Sequence, residues 1–264
     1  MCLILLSYKT DPYFNLILAG NRDEYYTRPT APLGYFEDNP SILGGRDIQG
    51  NGTWLGITRQ GRISALTNFR DPDALRPDPP SRGHLVKDFL YGTIPPDAYL
   101  RRIHETADQY SGFNLIVGDR DALYYYSNME GKITPISPGI HGLSNHLFNT
   151  PWPKVEMAKQ GFTDAITPPR DEIDKERIFQ LLRDDTLPPD EALPDTRVGL
   201  IWERLLAPIF IKSDFYGTRS SAILSIDNRG TVEFTERSFT SDDPAKGVFS
   251  SRTHTISFSL PSWP

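Results

Sequence analysis

Two apolar runs separated by a proline-containing turn open the chain, and they restrict its folds more than any other stretch. Leu3 to Tyr8 and Phe14 to Ala19 flank Asp11-Pro12, and the second run leads into Gly20-Asn21-Arg22-Asp23-Glu24. Short apolar runs around such a turn predict a β-hairpin. A hairpin carries its far end back towards its start, so the charged cluster Asn21 to Glu24 is expected beside Cys2. Cys2 is the single cysteine of the 264 residues. Removal of Met1 makes it the amino terminus.

A thiol attacks as its thiolate, and at an ordinary pKa of about 8.5 it is mostly protonated at neutral pH. It needs a base, and a free α-amino group, with a pKa of roughly 7.7–8.0, can serve. When thiol and amine belong to one residue they are within reach by construction, as in the threonine version of this chemistry. Arg22 can stabilise the thiolate or hold a substrate carboxylate through its planar fork. Asp23 or Glu24 can hold the terminal ammonium. The same residues allow a plainer reading, in which Cys2 is a small hydrophobe that starts a buried strand. A retained Met1 blocks the self-activated mechanism.

Composition narrows the classes. A hydrophobic content of 38% supports a real core, and the formal net charge of −6 gives no footprint for nucleic-acid binding. No apolar run reaches transmembrane length, so stable membrane insertion is not expected. The start lacks the basic region and cleavage site of a secretory signal. A lone cysteine forbids an internal disulfide, and a cytoplasmic protein is the expectation. Five histidines are scattered, with no HExxH and no paired cysteines, so neither a metal nor a cofactor is expected.

Further along, Tyr25 to Gly45 is rich in proline and glycine and reads as a surface loop. Thr53 to Ile57 and Arg62 to Asn68 flank Gln60-Gly61 and predict a second hairpin. Helices are expected from Arg82 to Leu90 and from Pro96 to about Asp108, the latter with proline just inside its start. Strands are expected over Phe113–Gly118, Ala122–Tyr126, Lys132–Ile136 and Gly142–Asn145. Helical spacing returns at Trp152–Ile166 and Asp171–Arg183, with a short helix or turn at Leu200–Leu206. Strands close the chain at Ser221–Asp227, Thr231–Ser238 and Thr255–Leu260. Strand groups joined by tight turns and alternating with helices predict α+β, two largely antiparallel sheets covered by helices, in one domain over residues 1–264.

Polar residues at strand ends are candidates for a converging site. Asn68 closes the second hairpin, Asn145 closes a later strand, and Arg219 precedes the last central strand. Amides of this kind hold the oxyanion in acyl transfer, although asparagine is also favoured wherever a strand stops. Trp54 and Tyr25-Tyr26 read more readily as core or rim than as a ligand platform.

The chain resembles the NRDE family, also called the transport-and-Golgi-organisation family. The resemblance is carried by Met1-Cys2, Asn21-Arg22-Asp23-Glu24 with Arg28-Pro29, Gly45-Arg46-Asp47 and Gly52-Thr53-Trp54-Leu55-Gly56. Leu66 to Arg70, Ser81-Arg82-Gly83, Gly112 to Leu115, Leu143-Ser144-Asn145, Trp152-Pro153-Lys154 and Tyr216 to Ser220 complete it. At greater distance the family is similar to cysteine N-terminal-nucleophile hydrolases such as penicillin V acylases and bile salt hydrolases. That resemblance implies an αββα sandwich and hydrolysis of a small amide or N-acyl compound, with Cys2 as nucleophile and its own amine as base. It implies catalytic parts for Arg22, Asp23, Asn145 and Arg219, with Asn68 a looser match; Asn21, Glu24, Trp54 and Asn68 around them are the expected substrate contacts. Arginine and aspartate are adjacent here, unlike in the acylases, so Asp23 or Glu24 can fill the carboxylate's place. Eukaryotic members are linked to secretion, Golgi organisation, and lipid and haem metabolism. The competing expectation is therefore a carrier for haem or acyl lipid on the same scaffold.

Overall fold

A computed structural model of the chain describes residues 2–243 and 248–261. The first hairpin pairs β1 (Cys2–Tyr8) with β2 (Phe14–Tyr25) and sets Cys2 opposite Arg22. Every residue of β1 is buried. A continuous apolar run of this kind marks a strand covered on both faces. The polar cluster Asn21 to Glu24 lies inside β2, not beyond it.

Six strands form the first sheet, in the order β10 (Gly139–Leu143), β1, β2, β11 (Tyr216–Asp227), β12 (Thr231–Asp243), β13 (Val248–Ser259). The second sheet runs in chain order through β3 (Thr30–Tyr35), β4 (Ile42–Asp47), β5 (Leu55–Thr58), β6 (Ile63–Asn68), β7 (Phe113–Gly118), β8 (Leu123–Ser127) and β9 (Lys132–Pro135). All the pairings are antiparallel.

The sheets face each other across a core that includes Ile4, Leu6, Leu18, Leu43, Ile57 and Ile116. Helix α1 (Gly83–Tyr91) packs on β4 to β7, and α2 (Pro96–Thr106) on β8 and β9. Leu85, Val86, Phe89 and Leu90 form one stripe of α1 and bury against Leu66 and Leu115. On the other side, α3 (Pro153–Ile166) covers β1 and β10, and α4 (Lys175–Leu182) covers β2 and β11. Val155, Phe162 and Ile178 meet Leu3, Leu5 and Ile17 there. Each such side chain, fully buried, contributes about 1.5–3 kcal/mol. The layers run helix, sheet, sheet, helix, which is the expected αββα sandwich. A short α5 (Leu200–Leu206) follows the connector after α4.

Several sequence expectations change. The stretch from Tyr25 to Gly45 is not a loop throughout, because β3 and most of β4 fall within it. Pro32 is tolerated because β3 is an edge strand with an irregular register between Ala31 and Gly34. The glycines of β4 serve close approach instead of turns: a Cβ on Gly45 would stand 2.3 Å from the Trp54 ring. Helix α4 begins only at Lys175, where the Asp174 carboxylate caps the Arg177 N–H at 3.1 Å. Strand β12 runs past Ser238, and β13 begins at Val248, well before Thr255. Met1 lies outside the described residues.

Candidate active site around Cys2

The β1–β2 register builds the site. Directly opposed residues share a sheet face, so Cys2 and Arg22 point together into the space between the sheets. Arg22 is 5% exposed, and its guanidinium lies 4.4 Å from the Trp54 ring centre. Its Nη1 donates to Thr30 Oγ1 at 3.3 Å, and Nη2 stands 3.8 Å from Glu24 Oε2. Glu24 also faces Arg28 at 3.7 Å, while Arg28 closes a two-pronged ion pair on Asp47.

Strand alternation turns Asn21 and Asp23 to the helix side. Asn21 donates to the Leu182 and Ile209 carbonyls at 2.8 and 2.9 Å and accepts from Ser221 Oγ at 2.6 Å. Its amide thus ties β2 to the helical layer, on the face away from Cys2. Asp23 is buried, and its Oδ1 accepts from Thr218 Oγ1 at 2.7 Å. Asp23 remains within electrostatic reach of the thiol, and its backbone N–H is aimed at Cys2.

Asn145 is fully buried just past β10. Its Nδ2 donates to the Asn68 carbonyl at 2.9 Å, and its own carbonyl accepts from the Arg70 N–H at 2.7 Å. The neighbouring Ser144 Oγ donates to the Cys2 carbonyl at 3.3 Å. Thr67 Oγ1 donates to the Ser144 carbonyl at 2.6 Å and so joins the two sheets at this end. Asn68 and Asn145 therefore come together beside the start of β1. The Asn68 side-chain amide makes no hydrogen bond to a described residue.

Arg219 lies within β11, at an irregularity where the β2 register steps from Thr218 to Ser220, and not before the strand. A bulged residue is re-aimed relative to its neighbours. Its Nη1 donates to the carbonyls of Tyr25, Tyr26 and Arg28 at 3.0, 3.1 and 3.1 Å. That guanidinium closes the loop after β2.

Sequence reasoning assigned no role to Lys154 or Arg82. Lys154 is 4% exposed and donates to the Leu206 carbonyl at 2.9 Å. Arg82 precedes α1 and donates to the Gly112 carbonyl at 2.9 Å. Both lie within electrostatic reach of Cys2, as Arg22 does. A signal existed for Lys154: it stands four residues before Ala158 and eight before Phe162, on the buried stripe of α3. Beyond Lys154, Arg70 and Glu203 form a buried ion pair at 2.7 Å.

Burial dominates the titration of these groups. It pushes the Cys2 thiol up; the Asp23 charge adds to this, while Arg22 and the Asp23 N–H oppose it. Burial raises the Asp23 carboxyl too, against Lys154 and the Thr218 hydrogen bond. Lys154 is pulled down to about 8 by burial, with Asp23 resisting. A thiol shifted in this direction gives up its proton less readily, so nucleophilic use of Cys2 calls for a base. Among the described residues, no three histidine, cysteine or acidic side chains meet as a metal site needs. No helix there is long and apolar enough to cross a membrane.

Comparison with known proteins places these residues in a wider set. A family model described as Transport and Golgi organisation 2 matches residues 1–241. The chain is 35% identical over 282 residues to the Mus musculus Transport and Golgi organization 2 homolog, covering 99% of this chain and 100% of that protein. It is 28% identical to Transport and Golgi organization protein 2 of Drosophila melanogaster, over 92% of this chain and 94% of that protein. Among solved structures it is similar to a Caenorhabditis elegans N-acylethanolamine-hydrolyzing acid amidase ortholog, with a TM-score of 0.45 and 10% identity over 85% of this chain and 92% of that one. It is also similar to penicillin V acylase from Agrobacterium tumefaciens, with a TM-score of 0.46 and 10% identity over 89% and 82% of the two chains.

Proposed function

The chain belongs to the Transport and Golgi organisation 2 family, a name that specifies no reaction, and from the geometry around Cys2 we propose that it is an N-terminal cysteine amidohydrolase. Its substrate is a small amide or N-acyl compound. The observation that carries this reading is the pairing of Cys2 with Arg22 at the start of β1, with Asn68 and Asn145 beside it and Asp23 within electrostatic reach.

Removal of Met1 frees the Cys2 amine. That amine takes the thiol proton, and the sulfur attacks the substrate carbonyl carbon. The Asn145 amide has spent one N–H on the Asn68 carbonyl and offers the other to the oxyanion. The Asn68 side chain is a second donor. The protonated amine returns its proton to the leaving nitrogen, the C–N bond breaks, and a thioester remains on Cys2. Water, deprotonated by the same amine, then releases the acid.

Asp23 holds the ammonium in this scheme, since Glu24 is engaged with Arg22 and Arg28. Arg22, packed over the Trp54 ring, favours the thiolate. Asn21 and Arg219 are positioning residues, one fixing β2 and the other the loop after it.

The test is turnover of a panel of N-acyl amides by wild type, Cys2→Ala and Cys2→Ser, with circular dichroism as the fold control. Loss of all turnover in a folded Cys2→Ala protein is expected. Full activity in that variant refutes the reading, and a Soret band or bound lipid persisting with Met1 in place favours the carrier.

A further inference from the structure

Across the first sheet, the antiparallel registers set Cys2 opposite Arg22, Arg22 opposite Ser220, Ser220 opposite Ser238, and Ser238 opposite Arg252. These five residues share the inter-sheet face. At about 4.8 Å per strand the row extends roughly 19 Å from the thiol to the β13 edge. Its outer part lines a groove of about 570 Å³, walled on the opposite side by Thr30 and Pro32 of β3. Small-molecule sites typically enclose about 300–1,000 Å³.

The groove's polar groups favour negative charge. Arg252 is exposed, and its guanidinium forms no hydrogen bond or ion pair with a described residue. Arg219 enters from the side; its Nη1 is occupied, while Nε and Nη2 have no described partner. Thr30 carries the hydrogen bond from Arg22, so a third guanidinium stands behind the wall. The hydroxyl of Ser238 lies on the floor and donates to the Arg252 carbonyl at 3.4 Å, a long contact that it can exchange for a ligand oxygen. Among the described lining residues the acidic group is Glu236, 2% exposed, with Oε1 accepting from the Leu33 N–H at 2.9 Å. Burial raises its carboxyl, while the Leu33 N–H, Ser220 and the Arg22 charge pull it back down. Two guanidinium groups against one carboxyl thus line this groove in a chain whose formal net charge is −6.

We propose that the groove between β3 and the β11–β13 edge binds a small molecule bearing a carboxylate or phosphate, with Arg252 pairing its anionic end and Ser238 hydrogen-bonding beside it. Planar, two-pronged pairing to such oxyanions is what guanidinium groups do well. The site lies beyond Arg22 from the thiol and does not depend on the fate of Cys2.

The experiment is isothermal titration calorimetry on the full chain at fixed ionic strength, in wild type and Cys2→Ala, with phenyl phosphate, benzoate and neutral benzamide. At least one anion is expected to bind about tenfold more tightly than benzamide in both proteins, as a charge-assisted hydrogen bond implies. Preference for phenyl phosphate assigns a phosphate-bearing ligand, and preference for benzoate a carboxylate. Arg252→Gln is expected to remove that preference, and Ser238→Ala to reduce it about threefold; melting curves check that both variants fold. Absence of anion binding by wild type overturns the proposal, as does equal affinity for benzamide. So does anion binding unchanged in both variants. Anion binding by a Cys2→Ala protein alongside an inactive wild type would separate this site from the hydrolase reading.

Discussion

Replacing Glu203 by glutamine is expected to destabilise the fold strongly, although the change is nearly isosteric. The Arg70 and Glu203 side chains are 3% and 4% exposed and meet at 2.7 Å, so solvent screening does little to soften the loss. Glu203 Oε1 also accepts from the Thr196 N–H and Oγ1, contacts that a glutamine carbonyl can keep. The amide nitrogen then replaces Oε2, so Arg70 Nη1 loses both the opposing charge and its acceptor and faces another donor. The substitution leaves a buried guanidinium whose Nε and Nη2 make no hydrogen bond to a described residue. Breaking a buried pair from one side costs about 3–5 kcal/mol. At about 2–4 °C per kcal/mol for a chain of this size class, the melting temperature should fall by roughly 6–20 °C. Urea unfolding and thermal circular dichroism measure both quantities. The double variant Arg70→Met with Glu203→Leu should recover most of the loss, because paired apolar replacements are often neutral. A Glu203→Gln protein that melts with wild type, or a double variant as unstable as the single, would refute the argument.

Other predictions follow from the same contacts. Gly20→Ala places a Cβ 2.3 Å from the Leu3 carbonyl oxygen; forcing β1 from β2 should cost at least about 1–3 kcal/mol in urea unfolding, and unchanged stability would contradict the close approach. Lys154 titrates at about 8 in the fold against an ordinary 10.5, so between those values the unfolded chain holds a proton that the native chain lacks. Wild type should gain up to about 3 kcal/mol on Lys154→Met as pH rises from about 8 to 10.5, lose it as pH falls back through that window, and show no further change below it; a pH-independent difference would oppose this. Arg22→Gln removes a group that lowers the buried thiol, so iodoacetamide labelling of Cys2 at pH 8 should slow by roughly tenfold; equal rates would show that Arg22 does not act on the sulfur.

The sequence makes some of this architecture legible and hides the rest for physical reasons. Paired apolar runs foretold the first hairpin, and its return path foretold Cys2 beside Arg22. Alternation within β2 separates Asn21 and Asp23 from Arg22 and Glu24, yet the four read as one cluster until the strand is known to continue through them. Strands β3 and β4 were obscured because Pro32 and Gly45 resemble loop chemistry, while an edge position and an aromatic neighbour are their actual causes. Glu236 shares the phase of Val232 and Phe234 in β12, a periodic signal that its charge disguises. The pairing of Arg70 with Glu203 spans 133 residues and leaves no local trace.

The nucleophile assignment is tested most directly by intact-mass and amino-terminal sequencing of the purified, catalytically competent protein. The account predicts a chain lacking the initiator residue, with cysteine read in the first cycle. Methionine in the first cycle of a preparation that still turns over substrate would contradict it.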